Sequence, residues 1–553
     1  MTTTFFPAWH PDAEKALLKG NYSRAAQVYE QLIQVEPEVT THYWYLGLLL
    51  LLQEQEAEAQ TTWLVAMAEG DPAQIEQWTA ELSHILQAEA DRQETLVSLE
   101  SAWMLRQHLR EVDPTNLHNI LGLICLSNLL KRLTVEDLQE WQVIELLQSA
   151  AQTVDEDRVL LALSAVLETI APDPFVLTFN SACLPYIQTP ISLMAVVLPS
   201  AMKIAYSLKN PQLGAELLEQ YGLIDPQNPE ILGHLASFYQ NVHEFDKGIE
   251  TAKLRLSLVE ELEEKVFSSH LVLRGLMTAG GYWQEALHAI EHHETLLNSL
   301  IQNPPASLHP ASTTRLFTAP YFFPYFRDDL KQNHHLQNQL GALCQHHARL
   351  NNPEQAKRYA TLQTPGLRKR DATKPLKIGY LSYAMGRHSV GWLARWLLKY
   401  HDRDRFQLHG YFMGDRAGDS LYEWYLSQMD RACRMGIDCA DTSRDIAEQI
   451  YQDEIDILVD LDSLTLDISC DVLVMKPAPI QVSWLGWDAP GIPAVDYFIA
   501  DPYVLPEWAD DYYLEKIWRL PQTYIAVDGF EVDVPTLRRA DLNIPPDAVV
   551  FLS

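Results

Sequence analysis

The sequence lacks the short motifs that mark several common classes of enzyme. It contains no Walker A motif, no GxGxxG, no GxSxG and no HExxH. Each of these motifs carries a defined chemistry, such as a phosphate cradle or a pair of zinc-binding histidines. None of those chemistries is indicated for this chain.

Cysteine is scarce and never occurs in a CxxC pair. The six cysteines are Cys125, Cys183, Cys344, Cys433, Cys439 and Cys470. Scattered cysteines do not indicate a zinc or thioredoxin-type site, and reduced thiols are the expected state. We therefore predict a cytoplasmic protein.

Long apolar runs are also missing. The N-terminus has no basic segment followed by an apolar core, so no signal peptide is indicated. The longest apolar run, Tyr45–Leu52, is interrupted by Gly47 and is far shorter than the roughly 20 residues that cross a bilayer. The sequence thus predicts no association with a membrane.

Positive charge is in deficit. Lys and Arg number 41 against 74 Asp and Glu, which gives a formal net charge of −33. Non-specific binding to nucleic acid needs clustered positive charge, so nucleic acid is not an expected partner. The segment 368–377 is a local basic exception.

With 553 residues, 47% of them apolar, the chain is long enough for two to four globular domains.

Residues 1–300 have the pattern of a helical repeat domain. Apolar residues recur every three or four positions, and a period of 34 relates small and aromatic residues: Ala13, Ala25 and Tyr29 recur as Gly47, Ala59 and Trp63, and Gly214 and Leu218 recur as Gly248 and Ala252. Small residues at helix contacts and aromatics between units resemble the tetratricopeptide repeat. Residues 90–200 do not keep this register, and we predict irregular helical pairs of the same solenoid there.

A solenoid of this kind buries its core only by stacking neighbouring repeats. Its concave surface is expected to hold acceptor proteins, peptides or another protein partner. The alternatives are a plain scaffold and a dimerisation arm, so the sequence also allows a homo-oligomer.

Residues 301–373 are predicted to be a linker and helical connector. Proline and small polar residues are dense in the segment 302–326, and two helices are expected at about 328–349 and 353–362.

From residue 374 the pattern changes to alternating strands and helices. The predicted strands are Lys377–Leu381, Phe406–Phe412, Asp456–Asp460, Ile480–Trp484, Tyr497–Asp501, Ile517–Leu520 and Val549–Leu552. The predicted helices between them are Val390–His401, Ser420–Asp430 and Ser443–Asp453. This alternation predicts a Rossmann-like lobe with a mainly parallel sheet. Strands that end in Asp or Gly favour a binding site at the carboxyl edge.

The order of motifs in residues 374–548 resembles the N-terminal lobe of SPINDLY-like O-linked N-acetylglucosamine transferases, glycosyltransferase family 41. The matching stretches are Leu376–Ser382, His388–Trp392, Asp453–Asp460, Lys476–Gly486 and Tyr513–Lys516. The resemblance implies an α-helical tetratricopeptide-like solenoid followed by an α/β Rossmann-like lobe, the N-terminal half of a GT-B fold.

The resemblance also implies a reaction. It is sugar transfer from a nucleotide sugar, usually UDP-N-acetylglucosamine, to Ser or Thr of proteins, with inversion and with no metal or other cofactor. His388 is then the candidate catalytic residue, and Ser389, Leu485, Gly486 and Trp487 are candidate substrate-binding residues. The alternative for His388 is a residue that only caps the helix that follows.

Two departures from the family pattern favour a second function class. The family often has an aspartate four residues before this histidine, where this chain has Ala384. Residues 549–553 stand where the first strand of a second lobe is expected, so these 553 residues alone are not expected to transfer sugar. The second class is a non-catalytic repeat adaptor that keeps a degenerate glycosyltransferase lobe.

Other polar clusters carry less weight. His288, His292 and His293 have helical spacing, but no cysteine or carboxylate completes a metal site, so we expect solvated histidines and no metal. The pair His334–His335 is interpreted in the same way. Asp460 and Asp462 form a carboxylate pair at strand spacing, which we interpret as structural.

Overall fold

The computed structural model describes residues 8–68, 70–149, 154–363, 374–414, 416, 418–435, 442–525, 534 and 536–551. By their contacts these residues form two compact units. One comprises Met1–Val259 and Arg274–Gly281, and the other comprises Glu260–Leu273 and Tyr282–Ser553. The borders predicted at residues 300 and 373 remain predictions.

The first unit is helical throughout its described residues. In chain order the helices are α1 (Pro11–Leu17), α2 (Tyr22–Val35), α3 (Thr40–Leu51), α4 (Glu56–Met67), α5 (Pro72–Thr95), α6 (Leu99–Val112), α7 (Leu117–Leu129), α8 (Val135–Glu140), α9 (Val143–Ser149), α10 (Glu156–Thr169), α11 (Phe175–Cys183), α12 (Pro190–Met202), α13 (Pro211–Tyr221), α14 (Pro229–Asn241) and α15 (Phe245–Leu258). A 3-10 turn, Leu184–Tyr186, and a π-helical turn, Lys203–Ser207, complete it. The helix α16 (Leu262–Ala279) crosses the border between the units.

The predicted repeat packing is confirmed at the residues that recur with the period of 34. Ala13, Ala25 and Ala59 are completely buried. At Gly47 an added Cβ would lie 2.1 Å from Nε1 of Trp63, so only glycine lets the indole pack against α3. The same indole N–H donates to the Trp44 carbonyl at 3.3 Å. The helices α1 to α4 therefore pack as the sequence predicts.

One helical segment of the first unit, Pro190–Ser207, is long and apolar enough by length and composition to cross a membrane. The core helix of a soluble protein meets the same two criteria. Leu193, Val197 and Ala201 of this segment are completely buried in the core of the unit. The absence of a membrane partner stays a prediction.

The second unit combines further helices with one sheet. Its helices are α17 (Trp283–Gln302), α18 (Pro310–Leu316), α19 (Phe323–Phe326), α20 (Leu330–Asn351), α21 (Pro353–Ala360), α22 (Ser389–Lys399), α23 (Ser420–Gln428), α24 (Thr442–Gln452) and α25 (Asp467–Met475). Short 3-10 helices are Ala319–Phe322, Thr361–Gln363, Ser463–Thr465, Glu507–Tyr512 and Arg539–Leu542. The strands are β1 (Leu376–Ser382), β2 (Phe406–Met413), β3 (Arg431–Met435), β4 (Ile457–Asp460), β5 (Ile480–Ser483), β6 (Tyr497–Ala500) and β7 (Lys516–Arg519).

The strands form one parallel sheet in the order β3-β2-β1-β4-β5-β6-β7. Six of the predicted strands are confirmed as β1, β2, β4, β5, β6 and β7. The prediction of a strand at Val549–Leu552 is wrong for Val549–Phe551, which are exposed and pair with no described strand. An apolar run becomes a strand only beside a partner that takes up its backbone hydrogen bonds.

The sequence missed β3 and α25. The strand β3 lies at the edge of the sheet, and Arg431 and Arg434 are exposed on it, so it has no apolar run to reveal it. Edge strands commonly carry such charges, which discourage pairing with another chain.

The helix α20, predicted as part of a connector, packs on the loops of the α/β sheet. Gln337 donates to the Ala489 carbonyl, and Asn338 Nδ2 donates to the Tyr512 carbonyl at 2.8 Å. At Gly341 an added Cβ would lie 2.1 Å from the Gly491 carbonyl oxygen. The helix therefore supports the loop that follows β5.

The histidines near residue 290 are not all solvated, which corrects the expectation. His288 and His292 are exposed, but His293 is completely buried. Its Nδ1 hydrogen-bonds to Ser269 Oγ at 2.6 Å and its Nε2 to the Ala319 carbonyl at 2.9 Å. Burial lowers the pKa of His293 to about 4, so the ring is uncharged at neutral pH. Its two hydrogen bonds connect α17 to α16 and to the segment after α18. His334 is also buried.

Glu515 is a buried carboxyl group beneath the loop after β5. Its Oε1 accepts from the N–H groups of Gly491 at 2.7 Å and Ile492 at 3.2 Å, while Oε2 has no hydrogen-bond partner among the described residues. Burial raises its pKa to about 7. The loop is thus bound to a carboxyl group that is half protonated near neutral pH.

We expect Glu515→Gln to become more stable relative to the wild type as pH rises. The pKa of Glu515 is higher in the folded protein than its ordinary value of 4.5, so its stabilising contribution is complete below pH 4.5 and is lost as pH rises through 7. Glutamine has no such loss. The difference in free energy of unfolding between variant and wild type should grow by about 2 kcal/mol between pH 5 and pH 8.

Urea denaturation at both pH values measures this difference. Glu507→Gln is the matched control, because Glu507 is exposed on the nearby 3-10 helix. A difference that stays constant from pH 5 to pH 8 would contradict the prediction.

Candidate functional site

The strand order creates a switch point between β1 and β4. Strands are added outward in one direction from β1 to β3 and in the other direction from β4 to β7. Loops that leave the carboxyl ends of β1 and β4 therefore diverge, and ligands of open α/β sheets bind in the crevice that results. Tyr383 follows β1 at this point, and Leu461 and Asp462 follow β4.

Asp462 ties the loops at the switch point together. Its Oδ1 accepts from Ser382 Oγ at 2.6 Å, and its Oδ2 accepts from the Tyr383 N–H at 2.9 Å and from Ser469 Oγ at 3.2 Å. Asp460 accepts from the N–H groups of Asp462 and Ser463. Both carboxyl groups are buried, and burial raises the pKa of each. Their hydrogen bonds give the pair a structural role.

The loop after β5 lies directly on this point. Leu485 and Gly486 both have left-handed backbone, with φ of 64° and 67°. A Cβ at Gly486 would lie 2.7 Å from the carbonyl oxygens of Leu461 and Asp462. Leu485 keeps this backbone conformation, which is unfavourable for leucine, while its side chain is buried at 6% exposure. Glycine at 486 is therefore required twice, by backbone conformation and by close approach.

His388 lies on the other side of the switch point, at the start of α22. Its Nδ1 accepts from the Val390 N–H at 3.3 Å, so it caps the helix. The ring remains partly exposed and contacts the ring of Tyr383, with centroids 5.5 Å apart. Burial, followed by the positive charge of Arg416, lowers the pKa of His388. Ser389 is exposed beside it.

The capping bond fixes the chemistry that His388 can offer. A nitrogen that accepts a hydrogen bond from an N–H group carries no proton of its own. In the neutral ring the proton is therefore on Nε2, which can donate a hydrogen bond to an oxygen atom.

Two further residues of this corner were missed by the sequence analysis. Tyr383 directly follows β1 and presents its ring to His388. Arg416 Nη2 donates to the Tyr383 carbonyl at 2.7 Å, which brings a guanidinium group close to the histidine. Tyr383 could have been found, because it is the first residue after a strand that ends at the binding edge. Arg416 has no comparable signal in the sequence.

Ala384 is completely buried in the apolar cluster beneath this corner. The position that often carries an aspartate in family 41 thus offers no polar group here. Among the described residues, no group of three or more His, Cys, Asp and Glu side chains could hold a metal ion.

Trp487 and Leu485 line a pocket of about 400 Å³ at the carboxyl ends of β5 and β6. Its aromatic lining residues are Tyr325, Trp487, Phe498, Tyr513 and Tyr524. Trp487 also stacks on Tyr321, with centroids 5.5 Å apart. His388 and Ser389 are not lining residues. The loop of Leu485, Gly486 and Trp487 therefore packs on Asp462 through Gly486. Asp462 accepts a hydrogen bond from the Tyr383 N–H group, and the ring of Tyr383 contacts His388.

Asp488 holds this loop in place. Its Oδ1 accepts from the Ala489 N–H at 2.8 Å, and its Oδ2 accepts from His334 Nε2 at 3.0 Å. The Tyr513 hydroxyl lies within hydrogen-bond distance of both oxygens, at 3.1 and 3.2 Å. Both oxygens of the carboxylate are therefore already engaged.

The segment that contains His388 and the Leu485–Trp487 loop has a counterpart among known families. Residues 331–540 match the model of glycosyl transferase family 41. The resemblance predicted from the sequence is thereby confirmed. The match begins inside α20, not at Leu376, in agreement with the packing of this helix on the sheet.

Curated relatives of the α/β segment are named as peptide N-acetylglucosaminyltransferases. The chain is 31% identical over 186 residues to the probable UDP-N-acetylglucosamine–peptide N-acetylglucosaminyltransferase SEC of Arabidopsis thaliana, which covers 32% of this chain and 19% of that protein. It is 29% identical over 155 residues to the corresponding enzyme of Caenorhabditis elegans, which covers 28% of this chain and 13% of that protein. The matched region spans less than a fifth of the length of each of these two relatives.

A solved structure also aligns with the chain. It is a mutant of the Thermobaculum terrenum O-GlcNAc transferase, with 22% identity and a TM-score of 0.45 over 61% of this chain and 59% of that one.

We expect Gly486→Ala to displace the loop after β5. The variant meets both a left-handed φ and a clash with two carbonyl oxygens, and we expect the free energy of unfolding to fall by about 2 kcal/mol or more. The tryptophan fluorescence spectrum should shift as Trp487 moves. Urea denaturation and fluorescence measure the two effects.

Gly418→Ala is the matched control. Gly418 has φ of 80°, but an added Cβ would meet nothing within 4 Å. This variant therefore carries the backbone cost of about 1 kcal/mol without the clash. Equal effects of the two substitutions would show that close approach at Gly486 does not matter.

Proposed function

We propose that the α/β unit forms the acceptor-side half of a glycosyl-transfer site. In this proposal a sugar moves from a nucleotide sugar, UDP-N-acetylglucosamine by similarity to the relatives, to Ser or Thr hydroxyl groups of proteins. The observation that carries the proposal is the convergence of His388 and the Leu485–Trp487 loop at the switch point of the sheet, inside the segment that matches family 41.

The proposed role of His388 is to donate a hydrogen bond. Its lowered pKa keeps the ring neutral at pH 7, and its Nδ1 is occupied by the Val390 N–H. The Nε2–H group is left to bind an oxygen of the acceptor hydroxyl or of the donor. A fixed donor of this kind orients a substrate and stabilises negative charge without reorganising.

The loop at Leu485 and Gly486 is proposed to hold the sugar or the acceptor against this histidine. Gly486 is partly exposed, so a ligand can approach its backbone from the side away from the carbonyl groups of Leu461 and Asp462. Inversion and independence from metals belong to the same proposal, as does a cytoplasmic location. The group that takes the hydroxyl proton is not Ala384, which has no polar atom in its side chain.

The helical repeats of the first unit are proposed to bind acceptor proteins. Their regular packing at Gly47 and Trp63 supports a solenoid, and solenoids use extended surfaces to bind peptides.

A non-catalytic adaptor is the second candidate. The buried Ala384 favours it, because the aspartate of the family pattern is replaced by an apolar core residue.

Substitution of His388 distinguishes between the roles. In the natural full-length protein, His388→Ala should lower UDP-N-acetylglucosamine-dependent labelling of acceptor proteins by about 100-fold or more. His388→Gln should retain more activity than His388→Ala, because an amide N–H can still donate. Because the pKa of His388 is lowered, its protonation should reduce the rate only below pH 6.5.

Ser427→Ala, an exposed change on α23, is the control and should leave labelling unchanged. Folded protein that neither binds the nucleotide sugar, by calorimetry, nor labels any acceptor would favour the adaptor. Equal loss in the Ala and Gln variants would reject the donor role of His388.

A further inference from the structure

The 400 Å³ pocket beside Trp487 is chemically unlike a nucleotide site. None of its described lining residues is Lys or Arg, and its charged side chain is the carboxylate of Asp488. Both oxygens of that carboxylate already accept hydrogen bonds from within the protein. A diphosphate would meet negative charge and no basic partner there, which is unfavourable.

A free sugar is also a poor match for this lining. Buried hydroxyl groups need hydrogen-bond partners, and with the carboxylate and the Tyr513 hydroxyl engaged with each other, the side-chain hydroxyls left in the lining are those of Tyr325 and Tyr524. Aromatic walls instead favour a large apolar group, which loses contact with water when it packs against Trp487, Phe498 and Tyr513.

The rim of the pocket extends this apolar surface into solvent. Among the lining residues Tyr325 is 53% exposed and Val504 is 58% exposed. Trp508 is 63% exposed on the 3-10 helix between two lining residues, Leu505 and Tyr513. Contiguous exposed apolar residues around a pocket are typical of sites that bind a polypeptide.

Exposed acidic residues neighbour the lining residues in the sequence, and we take them as the rim. Asp328 lies between the lining residues Tyr325 and Leu330, and Glu507 and Asp511 lie between Leu505 and Tyr513. All three acidic side chains are exposed. Arg327 lies beside Asp328, but its guanidinium group is paired with Glu294 at 2.7 Å. The charge complementary to this rim is positive.

We propose that this pocket binds a large aromatic side chain of the acceptor polypeptide, flanked by Lys or Arg residues that face the acidic rim. The inference rests on the proposed function in one respect, namely that the polypeptide is the acceptor. The pocket would then select acceptors by a side chain near the modified hydroxyl, because Trp487 belongs both to the pocket and to the loop beside Gly486.

Direct binding tests the proposal without any sugar transfer. The probe is a fluorescein-labelled peptide with the core Arg-Trp-Arg followed by Ser, titrated against the full chain by anisotropy. The matched peptides carry Arg-Ala-Arg or Glu-Trp-Glu. We expect the Ala peptide to bind at least about 10-fold more weakly, since it loses the aromatic ring. The Glu peptide should be weaker by a similar factor at low salt.

Two substitutions at neighbouring positions locate the site. Val504→Trp fills the pocket from an exposed turn and should abolish binding of the Arg-Trp-Arg peptide. Tyr503→Ala is the matched control, because Tyr503 is 82% exposed and is not a lining residue, and it should change affinity by less than about 2-fold. Tyr325→Ala removes one wall and should weaken binding, which keeps the test valid if Val504→Trp does not fold.

Three outcomes would overturn the proposal: equal binding of the Trp and Ala peptides, binding that both Val504→Trp and Tyr325→Ala leave intact, or displacement of the peptide by UDP or N-acetylglucosamine alone. Glu-Trp-Glu binding as tightly as Arg-Trp-Arg would reject the role of the rim. Absence of UDP-N-acetylglucosamine-dependent labelling, or labelling that His388→Ala leaves unchanged, would instead reject the proposed function, so the two failures are distinguishable.

Discussion

The contact between Gly486 and the carbonyl groups of Leu461 and Asp462 is the constraint on which the α/β unit depends. Two consecutive left-handed residues, one of them a buried leucine, are unfavourable in isolation. They persist because the loop is held from several sides, by the Asp488 carboxylate and by Glu515 below. These contacts of Gly486, Asp488 and Glu515 fix the position of Trp487, which forms one wall of the pocket.

Much of the fold could be predicted because apolar strands and helical repeats leave periodic signals. The strand β1 and the glycine at position 47 are examples, since each is specified by burial that the sequence pattern records. The edge strand β3 and the role of α20 could not be predicted. Arg431 and Arg434 give no apolar pattern, and the polar side chains of α20 bond to carbonyl groups far away in the sequence.

The candidate site likewise contains residues that the sequence predicts and residues that it does not. The Leu485–Trp487 loop was found because its motif is local, whereas Arg416 and the pocket wall at Tyr325 come from distant segments that only folding brings together. His388 shows that the alternatives weighed for one residue need not exclude each other. Its Nδ1 caps α22, and this bond leaves the proton of the neutral ring on Nε2, the nitrogen available to a substrate.

The packing of α20 has a practical consequence for dissecting this protein. A fragment that begins at residue 374, where the strand pattern starts, would lack the donors to the carbonyl groups of Ala489 and Tyr512. It would also expose the surface of Gly491 that Gly341 now covers, so the loop after β5 would lose packing as well as hydrogen bonds. A fragment of the α/β unit that keeps these contacts therefore starts ahead of Leu330, and we expect a fragment that begins at the first strand to be less stable.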